Sequence, residues 1–286
     1  MSMNKVIACV DGAAHTASVC DAAIWAAHRL SAPLEFLHAI DRHPEHAPVT
    51  DFSGSIGLGA QESLLHELGE LDEKRSTLAL RHGRELLTGV VRRAREAGVG
   101  EVDSRQRHGG LVDSLVDLEP EARLFVLGQH PHAASSGRLH LDHNVERAIR
   151  SLKRPVLVAS ADFKTPQRIA IAFDGSPTGR TMVETVARSP LLIGIACTIV
   201  MTGTETVQML NHQAWARTVL VAAGFSVELV TLPGEPESAL VPWMKSSAID
   251  LLVMGAYGHS RVRHLIVGST TTTLLRTSPV PVLVLR

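Results

Sequence analysis

Six short runs of apolar residues punctuate the chain: Val6-Ile7-Ala8-Cys9-Val10, Leu124-Phe125-Val126-Leu127, Val156-Leu157-Val158-Ala159, Ile169-Ala170-Ile171-Ala172-Phe173, Leu251-Leu252-Val253-Met254 and Val282-Leu283-Val284-Leu285. None of them alternates with polar positions. A strand with one solvated face alternates, whereas a strand covered on both faces is apolar throughout, so these runs read as buried strands of a parallel sheet. Residues 17–30, about 61–97, 178–187 and 206–223 carry apolar positions at helical spacing instead. Strands and helices in alternation predict a doubly wound α/β architecture.

The pattern is written twice. Lys5 to Gly12 matches Arg168 to Gly175, each an apolar run closed by Asp-Gly; Leu124 to Gly128 matches Leu251 to Gly255; and Pro155 to Ala159 matches Pro281 to Leu285. An internal repeat of this length means two structural units. A chain of 286 residues also exceeds the usual size of one core. The expected units are residues 1–160 and 166–286, joined by the short polar stretch 159–166. Residues 41–70 have no counterpart in the second half. This insertion sets Phe52, Ile56 and Leu58 beside Gly54, Gly57 and Gly59 and then runs into an amphipathic helix at Leu64, Leu65 and Leu68, which suits a lid or a dimer contact as well as a disordered loop.

Composition narrows the function classes. The formal net charge is -1 and no basic stripe is present, which argues against nucleic-acid or membrane surfaces as partners. Cys9, Cys20 and Cys197 have neither a disulfide framework's even count nor metal-ligand spacing. No apolar stretch reaches the ~18 residues of a membrane span, and Val6 to Val10 is too short for a signal sequence. Together these predict a cytoplasmic protein.

The candidate chemistry lies behind the run Leu251 to Met254. Gly255 and Gly258 are followed, after nine residues, by Gly268-Ser269-Thr270-Thr271. Glycines let a backbone approach a ligand closely, and N–H groups in such loops and at helix N-termini attract anions. The spacing G-x2-G-x9-G-[ST] resembles the nucleotide loop of the universal stress protein family in its ATP-binding branch, and with the internal repeat the resemblance covers nearly the whole chain. It implies two five-stranded sheets of strand order 3-2-1-4-5 with helices on both faces, paired through their last strands as an intramolecular pseudo-dimer; a further homodimer stays open. It also implies a stress-response role and an adenine nucleotide, ATP with or without Mg²⁺, as ligand. Residue by residue, Ala172, Phe173 and Asp174 match the segment closing over the adenosine, the first two through backbone groups. Met254, Gly255, Gly258 and His259 match the loop at the ribose and phosphates, and Gly268, Ser269, Thr270 and Thr271 match the end that holds the phosphate tail.

Ordinary structural roles compete for the same residues: Asp174 suits a turn that caps the next helix, and Ser269 and Thr270 suit helix capping. In the first half the motif is lost. Pro131 stands for the second glycine and Asp142 falls where Gly-Ser belongs, so a donor is missing and a phosphate would be repelled. The first half is therefore expected not to bind ATP. No P-loop lysine, dinucleotide fingerprint or nucleophile elbow is present, so no catalytic residue is assigned and binding is favoured over turnover. Slow hydrolysis or phosphorylation within residues 270–273 is the most enzymatic reading. Two alternatives stay open: a partner-binding scaffold with a vestigial nucleotide loop, and a metal-dependent first half built on His130, His132, His140 and His143.

Overall fold

The computed structural model describes residues 4–40, 58–129, 132–133, 139–140, 143–256 and 269–286. In chain order the first half comprises β1 (Lys5–Cys9), α1 (Thr16–Leu30), β2 (Leu34–Ile40), α2 (Leu58–Glu96), β3 (Val102–His108), α3 (Leu111–Leu118), β4 (Ala122–Gly128), the two-residue strands β5 (His132–Ala133) and β6 (Leu139–His140), α4 (His143–Ser151) and β7 (Val156–Ala159). The second half follows with β8 (Arg168–Ala172), α5 (Pro177–Arg188), a 3₁₀ turn (Pro190–Leu192), β9 (Ala196–Thr202), α6 (Val207–Ala222), β10 (Val227–Leu232), α7 (Pro236–Ser246), β11 (Leu251–Gly255), α8 (Ser269–Thr277) and β12 (Val282–Leu285).

The main strands form one ten-stranded sheet in the order β10-β9-β8-β11-β12-β7-β4-β1-β2-β3. Each half has the expected order 3-2-1-4-5 and is parallel throughout. The halves join where β12 lies antiparallel to β7, with Leu283 opposite Leu157. One face carries α1, α2, α5 and α6, whose Trp25, Leu87, Met182 and Leu220 bury against alternate strand residues in a core that runs across the join. The other face carries α3, α4, α7 and α8, through Leu115, Ile149, Met244 and Leu274. Residues 58–70 of the insertion extend α2, and its remainder lies outside the described residues.

Side-chain links reinforce the join. Arg29, at the end of α1, donates from Nε to the Leu191 carbonyl (2.9 Å) and also reaches the Pro190 and Ile193 carbonyls, satisfying the end of the 3₁₀ turn. Arg286 donates to Leu152 O at 2.9 Å, and Phe163 between β7 and β8 stacks at a tilt on Trp25, 5.7 Å between ring centres. Among the described residues no helix is long and apolar enough to cross a membrane. Burial pushes the Cys20 and Cys197 thiols up to about 12, and burial raises Cys9 as well. Thiols held protonated are poor nucleophiles, so cysteine chemistry does not enter the functional reading.

At the amino ends of β4, β1, β2 and β3 an ionic network replaces apolar packing. The buried Glu35 carboxylate meets Lys5 Nζ at 2.7 Å and Arg105 Nε at 2.6 Å, and both cations reach Glu121 at 3.3 Å. The hydrogen bond from Arg105 is the main cause holding the Glu121 carboxyl below its ordinary range, with burial opposing it. The hydrogen bond to Glu35 likewise raises Lys5 against its own burial. A depressed carboxyl contributes stability above its unfolded pKa of about 4.3 and loses it as pH falls through the lower folded value. A raised lysine contributes fully below about 10.4 and fades as pH rises through its folded value. Glu121→Gln is therefore expected to have a lower urea midpoint than the parent at pH 7, with the gap narrowing as pH falls below about 4.3. A gap of the same size at every pH from 7 down to 2 would mean that the carboxylate charge is not what matters.

Candidate functional site at the carboxyl edge of the second half

In a doubly wound sheet the strand order reverses beside the first strand of each unit, and the helices on either side leave a crevice there. In the second half that place lies between β8 and β11, where Ala172 and Met254 are partners in the parallel ladder. Asp174 follows one strand end and Gly255 terminates the other, so the two segments singled out from the sequence are brought side by side.

Phe173 plays two parts. Its ring is buried against Trp215 and His212 of α6, 6.0 and 6.4 Å between ring centres, with the Arg180 guanidinium 4.6 Å above the Trp215 ring. Its backbone N–H donates to Val200 O at 2.9 Å. That donor belongs to the sheet and is not available to an adenine, which narrows the backbone role expected for this residue. Asp174 is exposed and accepts from Ser176 N–H at 3.0 Å, forming an Asx turn, while Ser176 Oγ caps α5 by accepting from Gly179 N–H at 3.0 Å. Capping therefore falls to Ser176, two residues beyond the aspartate. Gly179 is where α5 comes closest: a Cβ there would lie 2.5 Å from Asp174 Oδ1 and 3.1 Å from the Phe173 ring. Gly175 has φ +75° and faces His212, which a side chain at that position would strike.

Gly258, His259 and Gly268 lie outside the described residues, and of Ser269 only its place at the start of α8 is described. Thr270 Oγ1 donates to Glu237 Oε1 of α7 at 2.7 Å rather than capping its own helix. Thr271 is buried, and the buried Thr272 Oγ1 has no hydrogen-bond partner among the described residues. The first turn of α8 thus gathers the three hydroxyls of Thr270, Thr271 and Thr272, the last of them unsatisfied, beside one carboxylate. Met254 is buried in the core on the α7 and α8 side, so only its backbone reaches the crevice edge. Gly255 has room: an added Cβ would meet Thr178 Cγ2 at an ordinary 3.8 Å.

The equivalent place in the first half is built differently. Asp11 accepts from Ala13 N–H at 2.9 Å and Gly12 has φ +81°, which repeats the Asp-Gly turn. Where the second half has Gly255 and Ala256, Gln129 follows Gly128 and its Nε2 donates across the join to Leu275 O and Arg276 O, at 2.6 and 3.3 Å. This degenerate loop is tied to the C-terminal end of α8. His38 Nδ1 lies 2.8 Å from Val10 O, and α2 crosses His38 at Gly83, where a Cβ would fall 2.2 Å from Gln106 Nε2 and 2.6 Å from the His38 ring. Among the described residues no group of three histidine, cysteine or carboxylate side chains is arranged to hold a metal ion. His130 lies outside them; His132 and His140 are backbone partners in the β5–β6 ladder.

The model of the universal stress protein family matches residues 3–160 and 199–286. The chain belongs to that family. Universal stress protein Slr1230 from Synechocystis sp. is similar over its full length: 34% identical across 99% of this chain and 100% of its own. Universal stress protein MJ0577 from Methanocaldococcus jannaschii matches a shorter stretch, 29% identical across 22% of this chain and 39% of its own. Among solved structures, a universal stress protein from Archaeoglobus fulgidus superposes with a TM-score of 0.73 over 100% of this chain and 99% of its own, at 18% identity, a likeness of fold. As a universal stress protein with two repeats in one chain, this molecule pairs internally the strands that its sequence duplicates. The Glu237–Thr270 bond and the Gln129 tie to α8 were not foreseen, because each joins residues with no shared motif.

Proposed function

We propose that this universal stress protein serves a stress response by binding an adenine nucleotide, ATP foremost, in the crevice of its second half, and that it works by binding rather than by turnover. The observation that carries this reading is the adjacency of Ala172 and Met254 at the reversal of strand order, which sets Asp174 and Gly255 at one crevice mouth. The donor set at α8 fits a phosphate tail. Its first turn offers the Thr271 hydroxyl and an unsatisfied Oγ1 on Thr272, Thr270 would join them by releasing Glu237, and a helix N-terminus favours anions. Glu237 sets a carboxylate beside that turn, and a Mg²⁺ carried in on the nucleotide would lie between like charges there. In this reading Ala172, Phe173 and Asp174 line the adenosine end, and Met254, Gly255, Gly258 and His259 the ribose and first phosphates. Gly268, Ser269, Thr270 and Thr271 hold the tail. The first half, with Gln129 committed to α8, is a scaffold that does not take ATP.

The test is to identify small molecules released by denaturing protein purified without added nucleotide, and then to titrate ATP, ADP and AMP calorimetrically with and without Mg²⁺. One adenine nucleotide per chain supports the reading. No released nucleotide together with no heat of binding would leave the partner-binding scaffold in its place.

A further inference from the structure

Helix α2 is 39 residues long, about 58 Å at 1.5 Å per residue, while its neighbours β2 and β3 have seven residues each, about 23 Å. Among the residues whose side chains are described, the C-terminal part alone packs on the sheet, through Gly83, Leu87, Val90 and Ala94. Residues 66–71 and 73–78 are exposed at every position. A helical stretch of this length without tertiary packing is marginal in water, so its persistence calls for a partner.

The exposed stretch carries a seam. Leu68, Leu71 and Leu78 are 40%, 51% and 62% exposed. With Arg75 and His82 they follow the alternating three- and four-residue steps of a coiled coil, and Leu64 continues the series in sequence. At 100° per residue this seam lies close to a third of a turn from the line of Gly83, Leu87, Val90 and Ala94, so both faces can be used at once.

Charge then selects the occupant. From residue 62 to 73 every charged residue is acidic (Glu62, Glu67, Glu70, Asp72, Glu73), and from 74 to 84 every one is basic (Lys74, Arg75, Arg81, Arg84). A parallel copy would set like charges together. An antiparallel copy about a twofold axis near residues 73 and 74 sets each acidic block on the other's basic block, with Leu68 facing Leu78 of the second copy and Glu67 beside its Arg81. Within one helix the same switch gives, among the described residues, a long Glu70–Lys74 pair at 3.9 Å. We infer that the overhanging half of α2 is a dimerisation arm whose occupant is a second copy of this chain, in an antiparallel two-helix coiled coil. This arm is independent of the nucleotide crevice.

Light scattering coupled to size exclusion tests this on the full chain, from micromolar to hundreds of micromolar. The parent is expected to show the mass of two chains at the upper end. The doubly substituted Arg75→Glu, Arg81→Glu and the doubly substituted Glu67→Lys, Glu70→Lys are each expected to weaken dimerisation about tenfold or more. Each substitution acts twice in a symmetric pair, and a tenfold step is 1.4 kcal/mol. An equimolar mixture of the two variants, one arm wholly acidic and the other wholly basic at these positions, is expected to regain the dimer mass. All four positions are exposed, and unchanged circular dichroism confirms folding. A parent that keeps the mass of one chain throughout, as it would if its own 41–57 segment or another protein covered the seam, overturns the inference, as does a dimer that both variants leave intact.

Discussion

Leu157→Ala is expected to lower the stability of the whole chain by about 3 kcal/mol, within the range that truncating a fully buried leucine costs through lost transfer energy and the cavity left behind. Leu157 is 0% exposed, lies in β7 at the middle of the ten-stranded sheet, and faces Leu283 across the antiparallel join and Val126 across the parallel one. The apolar core on its face is continuous from β1 to β12, so a cavity there loosens residues of both halves. Urea unfolding distinguishes two outcomes of interest. If the halves unfold as one body, the midpoint falls and the slope stays, because the slope tracks the surface exposed. If the slope splits into two transitions, the join is weaker than either half. A loss under 1 kcal/mol would show that the neighbouring helices collapse into the space and that the join is not held by this packing.

Gly258→Trp is expected to weaken ATP binding by about a hundredfold or more, close to 2.7 kcal/mol, with the urea midpoint unchanged. The reasoning is steric. A loop that meets phosphates through its N–H groups needs the backbone itself at contact distance, and an indole at the second glycine holds the ligand off. Gly258→Ala, with a single methyl, should retain much of the affinity unless the position needs φ > 0. Calorimetric titration of both variants with ATP, beside the parent, decides the matter. Equal affinity in the tryptophan variant would place the ligand elsewhere, and loss of both binding and fold would mark Gly258 as structural.

The central strands were legible because burial on both faces leaves few polar positions: β7, β11 and β12 have none, and β1, β4 and β8 carry one each, Lys5, Arg123 and Arg168, at or next to their amino ends. The outer strands were not. β3 reads Val-Asp-Ser-Arg-Gln-Arg-His and β10 Val-Glu-Leu-Val-Thr-Leu, each with one edge in solvent and several exposed side chains, so neither forms an apolar run. Helix α2 could be read from its spacing, with its start three residues earlier than residue 61. At the crevice, the Asp-Gly after one strand and the glycine after another were visible, and their adjacency follows from strand order. The Glu237–Thr270 bond could not be read. It depends on how α7 and α8 lie against each other, and although Thr270 belongs to the glycine-rich motif, nothing in the sequence pairs that motif with Glu237. The same holds for Gln129, whose partners are carbonyls contributed by the other half of the chain.

Between β7 and β8 the connection occupies only residues 160–167, and it spans the two halves of a sheet that unlinked chains would have to find by collision. A tether this short holds its ends at an effective concentration on the order of millimolar. The ten-stranded sheet therefore cannot be taken apart by dilution, and the temperature at which the β7–β12 pairing melts is set within one molecule, whatever the expression level of the protein. Two crevices on one covalent body can also diverge independently, since a change in one is no longer copied into the other.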